Sequence, residues 1–393
     1  MRKPISIAGY EKTFAQLLGV SHAFSFYKGR VALYAILKTI GVQEGDMVVF
    51  PGLTCIMVPN AALYIGAKPV YVDIEPENFN IDPLKLEGLI GGMSAAEIKR
   101  IKAIVVQHSF GIPADMDALT DIAKKYDIPL LEDCAHSLGS RYNGQLTGRI
   151  GIASFFSSQW SKPYSTGLGG MAVTDDPLIG KKLEAIQMSF QAPGTLESVI
   201  LSFQMSLHRR LFSPGIYWKS MMALRKLSAA GLFIGSSSRD EHESVKPRGY
   251  EKTMGEGQAE AGLARLTSIA EDIAHRKQMT EFYESELGSR NATVKIAKGM
   301  EPVFLRYPVI VNNKDDVLRE ARRRNIEVGS WFESVLHPET KNLEKAGYIK
   351  GSCPIGEEIA RSIVNLPTHP RVTIQDAKRS LSIVLPFVRS LAP

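Results

Sequence analysis

The chain has 393 residues, 44% hydrophobic and 22% charged, with 33 glycines and 21 prolines. That excludes collagen-like and disordered polymers and leaves room for a large core plus a smaller one, because chains beyond roughly 250–300 residues divide into domains. A net charge of +6 favours anionic ligands, but no nucleic-acid-binding motif and no repeated basic and aromatic interleaving accompanies it, so no nucleic-acid partner is expected.

The three cysteines, Cys55, Cys134 and Cys353, are widely spaced and fit neither a disulfide framework nor a metal motif. Met1-Arg2-Lys3-Pro4 leads into a short, interrupted apolar run, which is not a signal-peptide pattern. No stretch reaches the ~18 uncharged apolar residues of a membrane span. A cytoplasmic, soluble protein is expected.

From Phe26 to Asp175 short apolar runs alternate with helical patterns. Val31–Ile40 reads as a helix, followed by strands at Asp46–Phe50, Lys68–Val72 and Ile101–Gln107. Asp115–Tyr126 reads as a helix opened by Pro113-Ala114-Asp115, and Ile128–Leu131 as the next strand. Continuously apolar strands separated by helices predict a parallel sheet covered on both faces, with ligands beyond the strands' C-terminal ends. Residues 195–248 differ: no acidic residue occurs from Ser198 through Arg239, while Arg209, Arg210, Lys219, Arg225, Lys226 and Arg239 are basic. The last hundred residues read as a small α/β unit with a strand at Phe304–Val311, a helix at Lys314–Arg324, a strand at Ile326–Trp331 and a closing helix at Thr373–Val384. The expected division is a large domain over 1–248, a connecting helical region over 249–290 and a small C-terminal α/β domain over 291–393.

Three places can carry chemistry. Leu130–His136 (LLEDCAH) is an apolar strand ending in Glu132-Asp133. A buried carboxylate at a strand's C-terminal end can keep a pyridine nitrogen protonated, or it can cap the next helix. Lys162, within Ser154–Met171, is the only lysine or arginine between Arg149 and Lys181. Apolar surroundings depress an amine's pKa and make it nucleophilic toward an aldehyde, although a lone lysine is more often a surface residue. Gly29 precedes an apolar helix in Tyr27-Lys28-Gly29-Arg30-Val31, where backbone N–H groups can cradle a phosphate, or which can be a plain loop-to-helix junction.

Together these pieces resemble the DegT/DnrJ/EryC1/StrS family of sugar aminotransferases, which use pyridoxal 5'-phosphate (PLP) and have fold type I. The likeness runs through Gly29–Leu33, Gly45–Asp73, Asn80–Pro83, Gly111–Asp117, Leu131–Gly139, Ser157–Gly170, Val173–Asp176, Cys353–Ile355 and Asn365–Pro370. It implies a large domain with a mostly parallel sheet of the seven-stranded type covered by helices, plus a smaller α/β domain. It makes Lys162 the Schiff-base lysine and proton shuttle, Asp133 the partner of the pyridine nitrogen and Ser157 a phosphate ligand. The turn at Gly29, Arg30 and Val31 would give backbone N–H groups to the same phosphate. The metal-free reaction would move an amino group from an amino acid, L-glutamate, to a keto-sugar, most often nucleotide-linked. A homodimer with a cross-subunit active site is implied.

Four departures from the family pattern stand out. His136 replaces a glutamine near the cofactor's phenolic oxygen, and Cys55 replaces a stacking aromatic, which leaves His136 as the stacking candidate. Glu251, in Gly249–Met254, replaces an asparagine that reaches the neighbouring subunit's phosphate, so Lys252 would take that task or the loop would be re-aimed. The stretch 195–248 is longer and more apolar-basic than expected. It reads as an inserted helical pair buried on the dimer or in the cleft, or as an amphipathic element, spanning 198–239, in peripheral contact with a membrane or lipid-linked sugar. A sugar 3-dehydratase of the family would carry histidine where Lys162 stands. A cyclitol ketone as acceptor, or a non-catalytic regulatory protein, are the alternatives. His337 either faces the cleft or is structural.

Overall fold

A computed structural model describes residues 3–211, 217–229, 233–338 and 342–389. The N-terminal helix α1 (Ile5–Leu18) leads into strand β1 (His22–Phe26) and helix α2 (Gly29–Thr39). Strands β2 (Met47–Pro51), β3 (Lys68–Val72) and β4 (Ile101–Gln107) follow, then helix α3 (Met116–Tyr126) and strands β5 (Leu130–Asp133), β6 (Ala153–Ser157) and β7 (Gly170–Thr174). These seven strands form one sheet in the order β1-β7-β6-β5-β4-β2-β3. All run in one direction except β7, which is antiparallel to both β1 and β6.

Alternation along the strands explains why both faces are covered. Val48, Phe50, Ala103, Val105 and Leu131 point to the layer that holds Val31–Leu37 of α2. Val49, Ile104, Val106 and Leu130 point to the opposite layer, with Met116 and Leu119 of α3. Each aliphatic side chain fully buried this way stabilises the fold by roughly 1.5–3 kcal/mol. Asp115 is the N-cap of α3, its carboxylate accepting from Ala118 N–H at 3.2 Å. The strand read at Ile128–Leu131 lies two residues later, because Pro129 lacks a ladder donor while Glu132 and Asp133 pair in register with β4.

Residues 195–248 include helices α4 (Thr195–Leu211), α5 (Tyr217–Ala229) and the single turn α6 (Arg239–His242). The side chains of Arg209, Arg210 and Arg225 lie outside the described residues, while Lys219 and Lys226 are exposed. Leu201 and Met205 of α4 face Gly167: a Cβ there would lie 3.0 Å from Leu201 Cδ1 and 2.9 Å from Met205 Cγ. Helix α4 therefore packs on the loop that carries Lys162. No described helix is long and apolar enough to cross a membrane.

Helix α7 (Ile269–Leu287) runs to the C-terminal layer, where strand β8 (Arg306–Ile310) pairs antiparallel with β9 (Ile363–Pro367) beneath α8 (Lys314–Arg324) and α9 (Ile374–Val384). The core of this layer is continuous with Leu53, Ile74, Phe79 and Phe110 from the sheet side. The strand read at Ile326–Trp331 does not form. Asn325 adopts the left-handed conformation at the end of α8, and Gly329 makes a single bridge to Asn365. The Asn365 side chain then accepts from Trp331 N–H at 2.9 Å, in place of a ladder bond.

Candidate active site

The strand β5 separates its two carboxylates by alternation. Glu132 turns into a cage formed by the N–H groups of Gly148, Ile150 and Gly151, each at 2.7 Å, and the His108 imidazole at 3.1 Å. Burial pushes its pKa up, but His108 and these donors more than offset that and hold it low. Glu132 is thus structural, and so is His108, whose Nδ1 accepts from Ala114 N–H at 3.1 Å. Asp133, the next residue, faces the other way, 3% exposed. One oxygen accepts from Ala135 N–H at 2.9 Å, within a turn rather than at a helix start. Burial raises its pKa to about 6, against the lowering influence of that N–H and of Lys162. A buried carboxylate with one short bond is complementary to a cationic N–H.

Lys162 sits in the loop between β6 and β7 and reaches over the Trp331 ring, with Nζ 5.1 Å from the centroid. Burial lowers its pKa to about 8, partly countered by Cys55 and Asp133. At neutral pH an appreciable fraction of this amine is therefore unprotonated. His136 lines the same cavity, with Phe110, Arg306 and Trp331. Its Nδ1 accepts from Phe110 N–H at 3.3 Å, so the ring proton of the neutral form is on Nε2. Burial keeps its pKa well below the usual histidine range. Cys55 ends a two-residue strand paired with His337, and burial raises its thiol pKa. His337 faces Trp331 at 4.0 Å between centroids and accepts from Glu333 N–H at 3.2 Å, so it supports the indole.

The start of α2 is set against the sheet by close backbone approach. A Cβ on Gly29 would lie 2.9 Å from the Cβ of Ser157, and one on Gly170 would lie 2.4 Å from Gly29 N. Only glycines let the N-terminus of α2 settle onto the ends of β6 and β7. Val31 N–H is already donated to Lys28 O at 3.0 Å. Among the described residues, the N–H groups of Gly29 and Arg30 have no acceptor. They and the Ser157 hydroxyl are suited to an anion.

The cations here are matched largely by acids from the segment 195–248. Glu241, 1% exposed, pairs with Arg30 at 2.7 Å and Lys28 at 3.5 Å. Arg30 also donates to Ser236 O, Gln159 donates to the same carbonyl at 3.2 Å, and Asn60 donates to Glu241 O at 2.7 Å. Lys252 is committed to Glu197 at 2.7 Å, and Glu251 to Tyr34 at 2.6 Å and Lys246 at 2.7 Å. The two charged side chains of the loop Gly249–Met254 therefore have partners within their own chain. Neither Glu241 nor Arg306 is singled out by sequence reasoning. The available signals were that Glu241 belongs to the first acidic pair after a long acid-free run, and that Arg306 opens an otherwise apolar strand.

The sequence profile of the DegT/DnrJ/EryC1/StrS aminotransferase family matches residues 6–207 and 215–384. This chain belongs to that family. It is 29% identical over 384 residues to a GDP-perosamine synthase of Caulobacter vibrioides, covering 96% of this chain and 88% of that one. It is 35% identical over 385 residues to an L-glutamine:2-deoxy-scyllo-inosose aminotransferase of Streptomyces lividus, covering 95% and 83%. Among solved structures, a family aminotransferase from Brucella abortus superposes with TM-score 0.75 at 22% identity, over 98% of this chain and 90% of that one. A Streptococcus pneumoniae protein solved in its PLP form gives 0.74 at 18%, over 98% and 91%.

The fold is that of the type I PLP enzymes, and the family's cofactor is PLP. The residues of this chain fit it. An amine of lowered pKa, a buried carboxylate without a cationic hydrogen-bond partner and a glycine-built helix N-terminus occupy one continuous region.

Proposed function

We propose that this aminotransferase moves the amino group of L-glutamate to the carbonyl carbon of a keto-sugar, with nucleotide-linked hexoses as the substrate class. The observation that carries the reading is the placement of Lys162, its pKa lowered to about 8, beside the buried Asp133 at the C-terminal ends of β5 and β6. Bound PLP supplies an electron sink for the carbon that exchanges its proton. Asp133 would hold the ring nitrogen in its protonated form, and its own pKa would fall on gaining that partner. Gly29, Arg30 and Ser157 would hold the phosphate. Lys162 Nζ would take the proton from one carbon and return it to another, a task suited to an amine that titrates near neutrality. His136, neutral, would offer its Nε2 proton as a hydrogen bond without adding charge, and Phe110 and Trp331 would keep water from the reacting carbon.

A second reading, amination of a cyclitol ketone with L-glutamine as donor, is supported by the name of the 35% identical relative. One experiment addresses both. Purified holoenzyme is given glutamate or glutamine while the visible band of the lysine-bound cofactor is followed, and the aminated cofactor is then offered nucleotide-linked keto-sugars or keto-inositols. The band is expected to bleach with glutamate and return with the keto-sugar. Indifference to every amino acid would sink both readings, and return only with a keto-inositol would select the second.

A further inference from the structure

Around this pocket most cations are spoken for. Arg30 and Lys28 have Glu241, Lys252 has Glu197 and Lys246 has Glu251. Arg276, buried behind the Lys162 loop, donates to Leu305 O at 2.9 Å, Thr368 Oγ1 at 2.9 Å and Pro163 O at 3.3 Å. Arg306 is different. It lines the same cavity as Lys162 and His136, is half-buried, and its side chain makes no hydrogen bond or ion pair among the described residues. Its guanidinium stacks on Trp331 at 5.3 Å from the centroid, the ring over which Lys162 also lies at 5.1 Å. Stacking consumes a face of the guanidinium and leaves its edge of N–H donors free.

The backbone beneath Arg306 is fixed from two sides. Leu305 N–H donates to Phe110 O at 2.8 Å, Arg276 holds Leu305 O, and Arg306 itself pairs with Pro367 in the β8–β9 ladder. A rigidly mounted, uncompensated cation in a reaction pocket implies an anion that arrives with the substrate. The donor's α-carboxylate is one bond from the carbon that loses its amine, so its receptor must lie within several ångströms of Lys162 Nζ. The diphosphate of a nucleotide-linked sugar lies many bonds from the reacting carbonyl and is too remote for the same position.

We infer that Arg306, braced on Trp331, is the donor-specificity residue and receives the α-carboxylate of the amino-acid donor through its planar edge. The inference rests on the aminotransferase reading and adds the recognition element for one of its two substrates. The keto acceptor, which carries no carboxylate at its reacting carbon, meets the same guanidinium only through hydroxyl groups. Arg306 therefore separates the two half-reactions.

The test uses holoenzyme, with Arg306→Gln and Arg306→Lys. Two quantities are read: the glutamate concentration that half-saturates bleaching of the visible band, and calorimetric binding of glutarate, a dicarboxylate without an amine. Arg306→Gln is expected to raise both constants roughly 30- to 100-fold, as loss of a bidentate charge-assisted pair does, while the acceptor KM changes less than about threefold. Arg306→Lys, which keeps the charge but loses the fork, is expected to fall between. Unchanged donor and glutarate constants, or a shift confined to the acceptor KM, would overturn the inference while the wild-type response to glutamate leaves the aminotransferase reading standing. A wild type indifferent to every amino acid would overturn both.

Discussion

Glu241 and Arg30 form a buried ion pair at 2.7 Å that joins the segment 195–248 to the first turn of α2. Both side chains are withdrawn from water, so each depends on the other. Glu241→Ala should destabilise the protein by about 3–5 kcal/mol in denaturant unfolding. The paired replacement Arg30→Met with Glu241→Leu should recover most of that loss. A double-variant loss as large as the sum of the two single losses would show that the pair carries no mutual dependence.

The same carboxylate acts on Lys28, whose pKa burial and the Arg30 charge lower to about 7 while Glu241 raises it. A depressed lysine pKa weakens the fold below it and ceases to do so as pH rises above the unfolded value. Glu241→Gln removes the raising influence, so its deficit relative to wild type should grow as pH falls through about 7, from about 8 toward 6. Thermal melts across that range check the direction; a deficit independent of pH would contradict it.

Lys162→Arg keeps a cation of similar reach but cannot supply a neutral amine at any ordinary pH. It should abolish the visible band and lower turnover by at least about a thousandfold, with the fold intact by circular dichroism. In wild-type apoenzyme, capture of added PLP by the lysine should accelerate with pH and level off above about 8.

Asp133 is raised to about 6 because its charge is buried without a cationic hydrogen-bond partner. A raised carboxyl pKa weakens the fold increasingly as pH climbs from about 4 to 6, and the deficit is complete above that. Apoenzyme carrying Asp133→Asn should therefore be more stable than wild type at pH 7, by on the order of 2 kcal/mol. The same variant should lose amino-group transfer by a hundredfold or more, because an amide does not keep the ring nitrogen protonated. Opposite signs in a melt and a rate assay are the signature to look for.

Gly29→Ala would push a methyl against Ser157 and Phe156 O, the latter at 3.1 Å. Overpacking of this kind costs about 1–3 kcal/mol. Displacing the N-terminus of α2 should also weaken PLP retention about tenfold, measured by equilibrium dialysis.

Much of the sheet was legible because its strands are apolar without alternation, as strands buried on both faces are: Lys68–Val72 and Ile101–Gln107 occupy the ranges read from sequence. The reversal of β7 was not legible, because strand direction is decided by which ends a connection must join and leaves no local pattern. Ile326–Trp331 has strand-like residues but lacks a ladder, since the Asn365 side chain takes the Trp331 N–H. Lys162 and Asp133 stood out by position along the chain, but composition alone left them ambiguous, and their roles were read from the family resemblance. Arg306 escaped because its isolation is a property of what surrounds it in space. Glu241 escaped because nothing in its local sequence points to Arg30, 211 residues away.

The segment 195–248 touches the rest of the chain at points far apart in sequence. Leu201 and Met205 rest on Gly167, Trp218 donates to Ile326 O at 2.7 Å, Glu241 neutralises Arg30 and Lys345 reaches Glu243 at 2.6 Å. As a unit of inheritance it is not a cassette that can be exchanged between relatives alone. A chimera that transplants it must carry the arginine at position 30 and the glycine at 167 along with it. One that removes it leaves the buried Arg30 guanidinium without the Glu241 carboxylate, so this segment and Arg30 can be exchanged only together.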